Sequence, residues 1–133
     1  MGPDASPLIH ILDDDESLRT ALLRLLRASG LEACGYGSAS EFLRRATPDL
    51  RGCLLLDVNL PDYSGLDLLV ALPRMGVLMP VVVLTGHPNE ASRAWAMRAG
   101  ALDYLLKPVD GEMLLTALRR ALAMDAARRG AAG

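Results

Sequence analysis

Three aspartates stand side by side at Asp13, Asp14 and Asp15, directly after the apolar stretch LIHIL at 8–12. Two carboxylates about 4 Å apart repel by roughly 4 kcal/mol at an effective dielectric near 20. A chain that keeps such a cluster gains from it, and a bound cation is the simplest way. Other reactive groups follow apolar runs in the same manner. Asp57 follows GCLLL (52–56), Thr85 follows VVVL (81–84), and Lys107 follows LDYLL (102–106). Several carboxylates meeting one hydroxyl and one ammonium describe a hard-cation site, because clustered oxygens suit Mg²⁺. The ammonium and hydroxyl would address an anion on the metal's far side. With one carboxylate as nucleophile, that set suits phosphoryl transfer to an aspartate.

This chemistry requires the four runs to end on one edge. Continuous apolar runs of four to six residues suit parallel strands covered on both faces. A weaker run, EACGY (32–36), supplies a fifth. Helical spacing fills the gaps. Leu18, Leu22, Leu25 and Leu26 make a stripe in 15–29, with Gly30 as the stop. Ser38 or Ser40 caps 39–46, and Gly65 opens a third helix closed by Pro73 and Gly76. Residues 89–99 form a fourth, with Ala91, Ala94 and Met97 as its inner stripe and Trp95 to one side. Residues 111–128 form a fifth, with Leu114, Leu115, Leu118 and Leu122 inward. Five alternations of strand and helix predict a doubly wound α/β sandwich. Right-handed crossovers place every strand's C-terminal end on one edge, where such sheets bind ligands.

The totals agree. A chain of 133 residues, 51 % of them apolar, can bury a single real core. A mean hydropathy of +0.24 argues against disorder. A net charge of −2 lacks the basic footprint of a nucleic-acid binder. Cys34 and Cys53 have no metal-ligand spacing and read as buried free thiols of a reducing compartment. The opening MGPDASP lacks a signal peptide's apolar core, and no apolar run approaches the length of a membrane span. A cytoplasmic protein is expected. The Ala-, Gly- and Arg-rich 126–133 read as a helix end or a linker toward a further domain.

Taken together, ILDDDES, LLLDVNLPDYSGLDLL, PVVVLTGH and AMRAGALDYLLKP resemble the receiver domain of two-component response regulators over 6–125. The TGH after the fourth strand is most similar to the FixJ-like subgroup, whose receivers commonly precede a DNA-binding output domain. The resemblance implies a flavodoxin-like, three-layer sandwich with five parallel strands in the order 2-1-3-4-5 and five helices. It implies Asp57 as phosphoacceptor. Asp13, Asp14, Asp57 and the backbone carbonyl of Asn59 would hold Mg²⁺, with Asp13 acting mainly through water. Lys107 would pair with the phosphoryl oxygens, and Thr85 and Tyr104 would carry the conformational switch. The implied partner is a sensor histidine kinase. A homodimer through the fourth helix, fifth strand and fifth helix is a further expectation, with DNA reached only through an absent output domain.

Individual residues also have plainer readings. Asp15 and Glu16 suit a helix N-terminus, and His10 reads as structural within the first strand. A tight turn aiming Lys107 into the site suggests a cis Lys107-Pro108 bond. His87 and Asn59 should flank the site entrance and set how readily water attacks the acyl phosphate. Trp95, the sole tryptophan, is a candidate partner-surface residue. Two other functions compete. One is a stand-alone receiver acting by protein contact or in a phosphorelay. The other is a Mg²⁺-dependent aspartyl phosphohydrolase, against which Asn59 stands where an acidic group would be expected.

Overall fold

The computed structural model describes residues 7–132. Residues 1–6, which include the start of the expected 6–125 domain and most of MGPDASP, and Gly133 lie outside the described residues. The chain alternates β1 (Leu8–Leu12), α1 (Glu16–Ala28), β2 (Ala33–Tyr36), α2 (Ala39–Leu43), β3 (Gly52–Asp57), α3 (Gly65–Arg74), β4 (Val81–Thr85), α4 (Glu90–Arg98), β5 (Asp103–Leu106) and α5 (Gly111–Ala132). All strand pairs are parallel, in the order β2-β1-β3-β4-β5. The expected architecture and strand order are therefore the observed ones.

The strands alternate with a period of two between the sheet's faces. Ile9, Ile11, Cys53, Leu55, Val82 and Leu84 pack on one side with Leu22 and Leu26 of α1 and Leu114 and Leu118 of α5. Leu54, Leu56, Val81 and Val83 pack on the other with Phe42 of α2, Leu68 and Leu72 of α3, and Ala96 of α4. Each fully buried Leu or Val contributes roughly 1.5–3 kcal/mol. Two covered faces explain why these strands read as unbroken apolar runs. His10 is buried and structural: its Nδ1 lies 3.0 Å from Tyr36 Oη and its Nε2 lies 3.2 Å from the Arg51 carbonyl. Burial holds its imidazole below the usual range.

Three details differ from the sequence reading. Cys34 is only half-buried, because β2 is an edge strand. In α4 the inward positions are Ser92 and Ala96, with Ala99 just past its end, whereas Ala91 and Met97 are exposed and Ala94 is half-buried. The helix expected over 39–46 stops at Leu43, whereas 126–132 prolong α5 as a helix end, one of their two expected readings. Asp125 there is buried, accepting from Gly52 N at 2.9 Å and pairing with Arg129 at 3.1 Å. Arg129 also donates to the Leu50 carbonyl at 2.6 Å, so this turn of α5 is tied to the start of β3.

Gly52 is fixed by geometry. Its φ is +112°, and a Cβ there would collide with the Leu8 carbonyl on the adjacent strand. Gly30 also has positive φ, +82°, but a Cβ there meets open space. Gly52→Ala is therefore expected to lower stability by more than about 3 kcal/mol, and Gly30→Ala by only about 1 kcal/mol. Urea unfolding of both variants checks the contrast.

Candidate functional site

Register brings the reactive residues together. Leu12 pairs with Leu56, Asp57 with Leu84, and Thr85 with Leu106. Asp13, Asp57, Thr85 and Lys107 therefore stand at or one residue beyond the ends of four neighbouring strands. The edge lies beside the β1/β3 boundary, where strand order reverses and doubly wound sheets open a crevice.

Carboxylate oxygens of Asp13, Asp14 and Asp57 all lie within 4.8 Å of one another. Asp13 and Asp57 are buried, whereas Asp14 is exposed. Asp13 Oδ1 accepts from Asp15 N at 2.9 Å, and Asp57 Oδ1 accepts from Asn59 N at 3.1 Å. Lys107 Nζ bridges the pair, 2.8 Å from Asp13 Oδ2 and 3.5 Å from Asp57 Oδ2. The nearer contact is an ion pair and not a well-directed hydrogen bond, for Asp13 Oδ2 is buried without a hydrogen-bond partner.

The charges are tuned accordingly. Burial pushes the Asp57 carboxyl above its usual range; the Asn59 N–H opposes this, Asp13 adds to it, and Lys107 opposes it. Burial pulls Lys107 down, but Asp13 and Asp57 outweigh it and hold the ammonium above its ordinary value. Oxygens bound to one Mg²⁺ at about 2.1 Å stand roughly 3–4 Å apart. The three carboxylates need only small side-chain movements to reach that spacing. Their hard oxygens, with Asp13 Oδ2 held by the Lys107 ammonium alone, fit such an ion.

Thr85 is fully buried, and its Oγ1 accepts from His87 N at 3.0 Å and from Asn59 Nδ2 at 3.5 Å. Asn59 and His87 are themselves exposed at this opening. Lys107 N donates to the Thr85 carbonyl at 2.8 Å, and Lys107-Pro108 is cis as expected. Tyr104 is buried, its hydroxyl donating to Ser92 Oγ of α4 at 3.2 Å. Trp95 is 36 % exposed on the same helix, away from the carboxylates.

Sequence reasoning missed three supporting residues. Arg19 lies against Gly35 and Gly37 and donates to the Asp13 carbonyl at 2.8 Å. The two glycines that make room for it were the available signal. Ser92, the partner of Tyr104, had none, since a serine within a short helix is ordinary. Asp62 accepts hydrogen bonds from Ala39 and Ser40 at the start of α2. Its signal was faint: a carboxylate in a Pro-Asp turn close to Asp57.

Residues 9–119 match the response regulator receiver domain family. Nodulation protein W of Bradyrhizobium diazoefficiens is 40 % identical over 124 residues, covering 93 % of this chain and 55 % of that protein. The transcriptional regulatory protein FixJ of Azorhizobium caulinodans is also 40 % identical over 124 residues, with 93 % and 58 % covered. The chain thus spans little more than half the length of these relatives. Among solved structures, the FixJ-N crystal structure superposes with a TM-score of 0.81 at 36 % identity, covering 90 % of this chain and 96 % of that one. A CheY-like receiver domain protein from Methanospirillum hungatei gives 0.84 at 26 % identity, with 93 % and 99 % covered.

The raised Asp57 carboxyl has a consequence for stability. A group whose folded pKa is raised contributes stability below its unfolded value, near 3.8, and loses it as pH rises through the folded value. Ionised Asp57 is therefore a cost at neutral pH without metal. Asp57→Asn is expected to raise metal-free stability there by about 1 kcal/mol, and Lys107→Ala to lower it by about 2 kcal/mol. Thermal unfolding at neutral and acidic pH checks both, and the Asp57→Asn gain should shrink as pH falls.

Proposed function

The chain belongs to the response regulator receiver family, and on that premise we propose that Asp57 is its phosphoacceptor, taking a phosphoryl group from the phosphohistidine of a sensor kinase. The observation that carries this reading is the buried Asp57 carboxylate, within 3.5 Å of Lys107 and clustered with Asp13 and Asp14. In the transfer an Asp57 oxygen bonds to phosphorus as the P–N bond to histidine breaks, and the imidazole takes up a proton. Asp13, Asp14, Asp57 and the Asn59 carbonyl would hold Mg²⁺, which offsets charge on the transferring group. Lys107 turns its ammonium from the carboxylates toward a phosphoryl oxygen. Thr85 Oγ1 already accepts two hydrogen bonds, which leaves its own proton for the same anion.

Drawing Thr85 toward the phosphoryl group frees space beside Tyr104 and changes how α4 sits against β5. Populations then shift toward the active conformation by the differential stabilisation that this new bond supplies. The domain catalyses only its own phosphorylation and dephosphorylation. Asn59 and His87 at the entrance set the lifetime by controlling water. An apolar groove of about 600 Å³ on the α4–β5–α5 face, lined by Arg93, Tyr104, Leu106, Pro108 and Met113, would receive the partner in a phosphorylation-driven homodimer. Trp95, exposed on α4, lies outside the groove's lining and would meet a partner only beyond it.

Transcription regulation through an output domain is the favoured outcome, since the relatives include a named transcriptional regulatory protein and extend well beyond the matched region. A stand-alone receiver is the second reading, supported by the Methanospirillum hungatei domain, of which this chain covers 99 %. Either would work in the cytoplasm beside a kinase, and no helix among the described residues is long and apolar enough to cross a membrane.

Incubation with acetyl phosphate and Mg²⁺ should add one phosphoryl group by intact mass. The gain should vanish in Asp57→Ala or without Mg²⁺, and should slow by at least about tenfold in Lys107→Ala. Undiminished phosphorylation of Asp57→Ala would move the acceptor elsewhere.

A further inference from the structure

The loop from β3 to α3 carries both Asn59 and Asp62, and it is closed on itself. Gly65 N donates to the Val58 carbonyl at 3.1 Å, and Asn59 bridges to Ser64. These bonds fix the loop's shape. Asn59 Nδ2 reaches Thr85 Oγ1 on β4 at 3.5 Å, and Val58 and Leu60 pack on the core. The attachment to α2 is made by Asp62. Its Oδ1 accepts from Ala39 N at 3.2 Å, and its Oδ2 accepts from Ser40 N at 3.2 Å and Ser40 Oγ at 3.0 Å. Desolvation raises the Asp62 carboxyl, but the donors from Ala39 and Ser40 together outweigh it and leave the group below the ordinary range.

The start of α2 has its own local cap. Ser38 Oγ accepts from Glu41 N at 3.2 Å, and Glu41 Oε1 accepts from Gly37 N at 2.9 Å. Asp62 satisfies the two remaining first-turn N–H groups from 22 and 23 residues away. A helix of five residues gains little from such reach, since a side chain within the preceding turn normally serves. The loop gains more. Asp14, Asn59 and Asp62 line one open cleft of about 600 Å³. A loop released from α2 would leave Asn59 to its bonds with Asp57 and Thr85 at the loop's other end.

We infer that Asp62 is a positioning residue that lashes the 58–64 loop to α2, so that the Asn59 backbone carbonyl keeps its place beside Asp14 and Asp57 for the metal. The inference rests on the Mg²⁺ site proposed above. Groups bonded directly to metal ligands commonly alter affinity by about 10–100-fold. Asp62 acts one step further out and in solvent, so a smaller effect follows.

The test is direct metal binding, measured by the free Mn²⁺ signal in electron paramagnetic resonance with Mg²⁺ as competitor, on the whole chain. Asp62→Ala should weaken binding roughly three- to tenfold, with unfolding by urea changed little. Ser40→Ala leaves the charge intact; it should weaken binding less, and add nothing in the Asp62→Ala background. Asp62→Asn, which keeps one acceptor oxygen, should recover part of the loss. Amide exchange should show Ala39 and Ser40 deprotected in Asp62→Ala. Unchanged metal affinity with those amides deprotected would overturn the inference. So would a loss that high salt abolishes and Ser40→Ala does not share, since charge alone would then explain it. A wild type that binds neither metal would overturn the metal site as well, an outcome distinct from normal wild-type binding that Asp62 does not affect.

Discussion

The rest of the structure depends on one electrostatic constraint: three carboxylates held within 4.8 Å at the end of a sheet. Left in water, each would be ionised and well apart. Here β1 and β3 run side by side in fixed register, and the covalent chain delivers Asp13 and Asp57 to adjacent strand ends. The apolar faces on both sides of the sheet hold that register, because a slip of one residue would turn every leucine to the wrong face. Packing thus supplies the force that opposes repulsion. Lys107 offsets part of it, but one ammonium against three carboxylates leaves a net negative site, which suits the small hard cation proposed for it.

The same edge links chemistry to shape. Thr85 closes β4 within hydrogen-bond reach of Asn59 and the His87 backbone, and the backbone of Lys107 is bonded to the Thr85 carbonyl. Tyr104 lies three residues before that lysine on β5 and reaches across to Ser92. Few side chains therefore separate the acidic cluster from α4. That helix is well placed to respond: only Ala96 is buried among its residues, so little apolar contact resists a small movement. At the opposite end of the sheet, Asp125 and Arg129 bind α5 to the start of β3.

Most of this was legible in the sequence for a physical reason. A strand covered on both faces must be apolar throughout, so the first polar residue after each run marks the sheet edge; Asp13, Asp57, Thr85 and Lys107 were found that way. The inner face of α4 was not. A short helix rich in alanine carries almost no periodic signal, and the buried Tyr104 hydroxyl draws Ser92 inward where Met97 had looked the better core residue. Asp125 carried no signal at all. A carboxylate in an Ala- and Arg-rich tail reads as solvated, but its partners, Gly52 N and Arg129, include a strand 73 residues away that no local pattern reveals. Asp62 shows the same limit, since its donors lie on another helix.

If the carboxylates are held together for a cation, metal and folding must be linked. The most direct measurement is thermal unfolding of the wild type across a Mg²⁺ titration, beside Asp13→Asn/Asp14→Asn. The wild-type midpoint should climb with Mg²⁺ and follow a binding isotherm. The double variant should be more stable than wild type without metal and indifferent to Mg²⁺. A wild type that ignores Mg²⁺, or a double variant that responds equally, would contradict that linkage.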